Sequence, residues 1–390
     1  MDFRRMLGEN SLIFGTPMSR MKRWIRNSWR SHSRIAGWIP VALALAPLSS
    51  QPQQMPGNTD RQTGDVAALV RQGTELAARG DFAEAEVPLK QALALAPENF
   101  SLLRTLGKVE ARLGHMDESI ALLRTAVGIA PDDAQAHVEL GIALADADQR
   151  SDALREFTDA ERLQPDSATA HLNRARVLDD MGNAAEAETE FSTSLRLSPK
   201  NPDVYYYWAL LEREQGRLPK EAELLSRLTR LKPQDDRAFY LLGRSLADQG
   251  RHREAVSALR TAIGINPRSS SALYLLSREL RTTNPAEAES LSRRFMELRQ
   301  QGEQQEGAIA LGNEALAAFT QQDWPKAIRL LHQAIAQCNG CSIEAGLRKN
   351  LGLTLCRNGQ LDEGAVELHK SLKLNPSDPD VLKALTAIGR

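Results

Sequence analysis

Two neighbouring stretches decide how this chain folds. Residues 100–133 read FSLLRTLGKVEARLGHMDESIALLRTAVGIAPDD, and residues 134–167 read AQAHVELGIALADADQRSDALREFTDAERLQPDS. Laid one over the other, they superimpose Leu106-Gly107 on Leu140-Gly141, Ala126 on Ala160 and Pro131 on Pro165. The proline continues outward at Pro97, Pro199, Pro233 and Pro267, always 34 residues on. Gly73, Gly107, Gly141 and Gly243 keep the same interval, with Ala175 and Ala209 in the two missing places. A fixed period of this length marks one supersecondary unit that recurs and stacks.

Each unit has a physical reading when Val66 is taken as its first position. Apolar residues at positions 4, 7, 8 and 11 form one stripe of a helix ending near position 14. A turn follows, occupied by Gly80, Gly114, Gly182, Gly216 and Gly250, where glycine takes the left-handed conformation that ends a helix. A second helix starts there, often with alanine at position 20 (Ala85, Ala153, Ala187, Ala255), and the periodic proline closes it. Small residues at positions 8, 20 and 27 let the two helices approach. One such hairpin cannot bury its apolar face alone, so neighbours must stack.

With the Leu-Gly pairs and the Gly, Ala and Pro positions, the sequence resembles the tetratricopeptide repeat (TPR) family over residues 66–378. The resemblance implies an all-α fold, a right-handed superhelical solenoid of antiparallel helix pairs. Nine units are expected: six clear ones over 66–269, a degenerate seventh over 270–303, then 308–341 and 345–378. The organisation is therefore read as TPR units 1–7 over 66–303, units 8–9 over 304–378 and a C-terminal capping helix over 379–390. Three departures carry expectations of their own. Pro88 should kink the second helix of unit one. The polar run Arg299–Glu306 of unit seven, which lacks the closing proline, reads as a hinge between two subarrays. Ala222, one place out of register, suggests compensating shifts within unit five.

Composition places the chain among soluble proteins: 390 residues, 42% hydrophobic, 25% charged and 5% aromatic, with a formal net charge of −1. That neutrality conceals a split. Residues 1–50 carry eight Lys/Arg against Asp2 and Glu9, a charge of +6, which leaves −7 on the remainder. An acidic body gives no bulk reason to bind nucleic acid. Within 1–50 a basic stretch precedes the 14-residue apolar run Ile35–Leu48 and then Ser49 and Ser50, the order of a secretory signal peptide. The run is too short for the ~20 residues that span a bilayer. An exported protein, periplasmic or secreted, is expected, cleaved near Ser49 or Ser50. If the leader is not functional the protein stays cytoplasmic, and an uncleaved leader would be its one membrane contact. Residues 51–65 read as a flexible linker.

Catalytic motifs are missing. The chain has no phosphate loop, dinucleotide glycine fingerprint, H-E-x-x-H or G-x-S-x-G, and no segment outside the repeats is large enough for a catalytic domain. No enzyme activity, cofactor or metal is expected. His137 and His171 recur at position 4 of adjacent units, where they read as packing residues in place of the family's tryptophan. Asp146, Asp148 and Asp152 imitate a calcium loop, but Arg150 and Ser151 occupy ligand and glycine places. Cys338-Asn-Gly-Cys341 lies in the turn after the second helix of unit eight. An oxidising compartment would bridge its sulfurs and leave Cys356 free; free thiols or a redox motif are the alternatives. A redox pair normally opens a helix on a βαβ scaffold, and haem attachment needs histidine where Ser342 stands.

Positions 2, 5, 9 and 12 of the first helix form a second stripe, about 130° from the packing stripe. In the family this chain resembles, that stripe lines a concave groove and meets peptides. Position 5 carries Tyr206, Tyr240 and Tyr274, and position 9 carries Arg176, Arg244 and Arg278. Tyr and Arg are frequent at binding hot spots. The resemblance thus implies a scaffold that binds a protein or peptide segment on these six residues. Two plainer readings stand beside it: the tyrosines pack between repeats while the arginines pair with Asp180, Glu214 or Asp248, or the same face takes an envelope glycan. Tyr205 and Trp208 are expected in the core. The family's carboxylate clamp, Lys at 5 with Asn at 9, is missing, since Lys349 is followed by Leu353.

Overall fold

The computed structural model describes residues 58–389, so the leader expected over 1–50 lies outside the described residues. The described chain is helical throughout its regular structure and falls into two compact units, which divide between Gln249 and Gly250. No helix among the described residues is long and apolar enough to cross a membrane.

Among the described residues the first unit holds eleven helices. These are α1 (Asn58–Arg79), α2 (Phe82–Leu95), α3 (Phe100–Leu113), α4 (Met116–Ile129), α5 (Ala134–Asp146) and α6 (Arg150–Leu163). Then follow α7 (Ala168–Asp180), α8 (Ala184–Leu197), α9 (Pro202–Glu214), α10 (Leu218–Leu231) and α11 (Asp236–Asp248). From α2 onward, first and second helices each begin 34 residues after their counterpart, so the period is kept without a slip. The register shift expected in unit five is therefore absent. Glu221 takes position 20 there, buried, and Ala222 beside it is buried as well. Helix α1 begins at Asn58, inside the span read as linker, and Pro88 lies inside α2, which continues to Leu95.

Local chemistry explains the punctuation. Asn99, Asp133, Ser167, Asn201 and Asp235, again 34 apart, each accept a backbone N–H of the next helix's first turn. Gly182 sits at φ 86°, and in unit three, which lacks the glycine, Asp148 adopts φ 67° and pairs with Arg150 at 2.6 Å. That turn role accounts for Asp148 without a calcium loop. Inside a repeat, the position-8 residue meets a large side chain of the second helix. A Cβ on Gly141 would come within 2.6 Å of the Phe157 ring, and one on Gly107 within 2.8 Å of Leu123. Between repeats, Phe157 shares a core cluster with Leu123 and Val177, and Phe191 with Val204 and Leu211.

The second unit holds α12 (His252–Ile265), α13 (Ser270–Leu280), α14 (Pro285–Thr320) and α15 (Trp324–Cys338). It ends with α16 (Glu344–Arg357), α17 (Leu361–Leu374) and α18 (Pro379–Ala387). Helix α14, 36 residues long, runs straight through the expected hinge and through the 303/304 boundary. Gln301 stands where the closing proline would be, and the run is rich in helix-forming Arg, Gln and Glu, with Arg299 and Glu303 paired at 2.8 Å. Unit eight ends differently from the others. Asn339 and Gly340, at φ 42° and 85°, make the turn, and a disulfide joins Cys338 to Cys341. Cys356 is free. Helix α18 buries Val381 and Leu385 against Ala365 and Leu368 of α17.

Candidate functional site

The expected binding residues divide between the two units. Helices α7, α9 and α11 bring Arg176, Tyr206, Tyr240 and Arg244 to the first unit. Tyr274 and Arg278 lie on α13 of the second.

In the first unit, Tyr205 and Trp208 point into packing, as expected. Tyr205 is buried and its hydroxyl donates to the Pro199 carbonyl at 2.9 Å. Trp208 is half-buried, stacks on Phe191 with ring centroids 6.2 Å apart, and donates its indole N–H to Glu212 at 2.6 Å. Tyr206, Tyr207 and Tyr240 are only half-buried. Tyr206 meets Tyr207 edge-on at 5.1 Å. Burial pushes the Tyr206 hydroxyl's pKa above its ordinary value, aided by Tyr207 and Asp235 and opposed by Arg237 and Arg244, so it remains a donor. Arg176 lays its guanidinium over Tyr207 at 4.4 Å, and Arg244 sits 5.9 Å from the Tyr240 centroid.

The arginines of this face have the following partners. Arg176 donates to Asn173 at 2.7 Å, and Arg244 lies 3.9 Å from buried Glu221. Glu221 is held mainly by Ser245 at 2.9 Å and Arg213 at 3.3 Å, while Asp248 pairs with Arg213 at 2.7 Å. In both Arg176 and Arg244 the Nε–H is buried and has no acceptor. Tyr207 and Asn173 occupy position 6, between the packing and groove stripes, so a stripe-by-stripe reading passes them over. In the second unit Tyr274 is 52% exposed and contacts Phe295 at 5.4 Å, and Arg278 pairs with Glu279 at 3.3 Å.

Position 4 acquires a definite task. His137, His171 and Tyr205 reach back to the carbonyls of Pro131, Pro165 and Pro199 at 2.9, 3.1 and 2.9 Å. They tie each repeat to the closing turn of the one before. The two histidines also bond Glu156 and Glu190 at 2.7 and 2.6 Å. Glu161, His171 and Glu190 stand close enough to hold a metal ion, yet Arg174 already occupies both carboxylates, at 2.8 and 2.9 Å. In the similar group Glu86, Glu110 and His115, the Lys90 ammonium fills that place, 2.6 Å from Glu86 and 3.0 Å from Glu110.

The His171 cluster makes stability depend on pH. Burial opposes protonation of His171, but Glu190, the Pro165 carbonyl and Glu161 outweigh it and raise its pKa. Burial and the neighbouring Glu190 raise that of Glu161 as well, against the pull of Arg174 and His171. Both groups bind protons more tightly folded than unfolded. Their contribution is full below the unfolded values, about 6.5 for His, and is lost as pH rises through the folded ones. The denaturation midpoint of the first unit is expected to rise between pH 8 and pH 6. In His171→Gln part of that rise should vanish, measured by urea titration at each pH; the rest comes from His115, whose pKa the hydrogen bond to Glu110 also raises.

Against known proteins, the family model described as the cilia and flagella-associated protein 70 C-terminal domain matches residues 66–311. No curated protein matches the chain. Among solved structures, PilF of Pseudomonas aeruginosa is 20% identical, with a TM-score of 0.47 over 54% of this chain and 96% of its own. A tetratricopeptide repeat protein from Parabacteroides merdae is 16% identical, with a TM-score of 0.45 over 75% of this chain and 99% of its own. YrrB, described as a TPR protein with an unusual peptide-binding site, is 21% identical, with a TM-score of 0.41 over 45% and 91%. With the family match spanning more than half of its residues and the helix pairs repeating every 34, the chain belongs to the cilia and flagella-associated protein 70 C-terminal domain family of tetratricopeptide repeat proteins.

Proposed function

We propose that this protein is a non-catalytic interaction scaffold that binds a peptide or protein segment along the first helices of the repeats in its first unit. The observation that supports this reading is the set of side chains at Tyr206, Tyr240, Arg176 and Arg244. They are large and half-buried, with Arg176 over the Tyr207 ring, Arg244 beside the Tyr240 ring, and Tyr206 and Tyr240 lying against the edge of the core. Such residues offer broad contact area with little ordering cost, and helices fixed by neighbouring repeats keep the face preformed. Tyr274 and Arg278 offer the same residue types in the second unit.

The test uses peptide arrays probed with the purified protein and with the Tyr206→Ala/Tyr240→Ala variant, its helicity checked by circular dichroism. Peptide binding that weakens at least about tenfold in a folded variant is expected. Undiminished binding contradicts the reading, as does tyrosine-dependent binding to a glycan array without any to peptides. Export is proposed along with it, directed by the basic and apolar leader. A mature N-terminus near Ser49 or Ser50 supports export, and an intact leader on the protein recovered from cells contradicts it.

A further inference from the structure

The chain contains two Asn-Gly pairs, Asn339-Gly340 after α15 and Asn358-Gly359 after α16, and all four residues are exposed. Such a pair invites one reaction. The glycine backbone nitrogen, unshielded by a side chain, can attack the side-chain amide carbon of the asparagine before it. The two pairs differ in how they are closed. Asn358-Gly359 lies in an open turn, where Gly359 and Gln360 donate to the carbonyls of Cys356 and Leu355 at 3.2 and 3.0 Å. Asn339-Gly340 lies between two bridged cysteines, whose Cα atoms are 5.1 Å apart. There Cys341 also donates its N–H to the Cys338 carbonyl at 3.1 Å.

Backbone geometry makes the bridged pair the protected one. Asn339 sits at φ 42° and ψ 57°, a left-handed conformation that asparagine tolerates. With L configuration at Cα, that ψ sets the Gly340 nitrogen nearly anti to the Asn339 Cβ, on the far side of the Cα–C bond from the side-chain carbonyl. Attack needs about half a turn around that bond. The turn would flip the Asn339-Gly340 peptide and carry Cys341 away from Cys338, whereas a disulfide holds its Cα atoms within about 4.4–6.8 Å.

We propose that Asn339 is a deamidation site, closed by the Cys338–Cys341 disulfide and opened by a dithiol reductant. The dithiol gives two electrons and two protons to the S–S bond and becomes a disulfide itself, leaving two cysteine thiols. The Gly340 nitrogen then bonds to Cγ of Asn339, the Cγ–Nδ2 bond breaks, and ammonia departs with the proton that the Gly340 nitrogen gives up. Water opens the cyclic imide at either carbonyl, leaving aspartate or isoaspartate. The product places a carboxylate at the C-terminal end of α15, where the helix dipole disfavours it. It stands beside Cys341 and Ile343, which pack against the core made by α14, α15 and α16. One reducing episode thus leaves a lasting change at the α15–α16 junction.

The test incubates the full chain in mildly alkaline buffer with and without dithiothreitol. Both asparagines are followed by mass spectrometry of their peptides, in which deamidation adds one mass unit. Asn339 is expected to react at least about tenfold faster with the reductant, while Asn358, outside the disulfide, keeps its rate. Cys338→Ser/Cys341→Ser should show the fast rate at Asn339 with no reductant present. Equal rates at Asn339 in the two buffers, equal acceleration at both asparagines, or a slow rate in the double serine variant would overturn the proposal. None of these residues belongs to the face carrying Tyr206 and Tyr240, so the two readings fail separately.

Discussion

Replacing Phe157 with alanine is expected to lower the stability of the first unit by about 3–5 kcal/mol, the usual cost of emptying a buried aromatic site. Phe157 is fully buried on α6, and its ring occupies the space left by the missing side chain of Gly141 on α5. It also joins the second helix of unit three to Val177 in unit four, so the cavity would open at a junction between repeats. In a stacked array each repeat contacts only its neighbours, and the loss should be local. Hydrogen exchange should speed most in α5, α6 and α7 and least in α16 and α17. Gly141→Ala approaches the same contact from the other side and should cost about 1–3 kcal/mol through overpacking. A small and uniform loss of protection would show that the position-8 contact does not organise the repeat.

A comparable effect is expected at Glu212, which is fully buried on α9 at position 11, where the apolar stripe runs. It survives there because Trp208 donates to one oxygen at 2.6 Å while Lys220 and Arg217 approach at 2.7 and 2.5 Å. Arg217→Met/Lys220→Met would leave the carboxylate buried with one neutral donor, a change of the kind that costs about 3–5 kcal/mol. Adding Glu212→Leu to that double variant should restore most of the loss, since Leu144, Leu178 and Leu246 occupy the same position in units three, four and six. The urea midpoint of the triple variant should exceed that of the double. If the double variant is as stable as the parent, the two cations do not sustain the buried charge.

The helix pairs were legible because their signals are local. Proline cannot continue a helix, glycine ends one at positive φ, and both recur every 34 residues, as do the helix starts. The hinge expected over Arg299–Glu306 failed for a reason also written in the sequence. Polarity alone does not break a helix, and this run has neither a proline nor a capped turn, so α14 passes through it. The acidic residues at position 11 were harder to read. Glu110 and Glu212 break the apolar stripe, but their partners Lys90, Arg217 and Lys220 lie on other helices or turns, where no stripe points. The proposed binding face followed the same division. Tyr206, Tyr240, Arg176 and Arg244 lie on the 2-5-9-12 stripe and could be named in advance. Tyr207, Asn173 and Glu221 came to light through contacts between helices.

In the proposed complex a partner segment lies along the first helices of the repeats in the first unit. Site-specific photo-crosslinking tests it most directly. A benzophenone amino acid is placed in turn at positions 206 and 240, and at Arg155 and Arg227, which lie exposed on the second helices α6 and α10. Crosslinked peptides are then identified by mass spectrometry. One partner segment captured from 206 and 240, and not from 155 or 227, is the predicted result. Capture of that segment from positions 155 and 227 alone, or equally from all four, would contradict it.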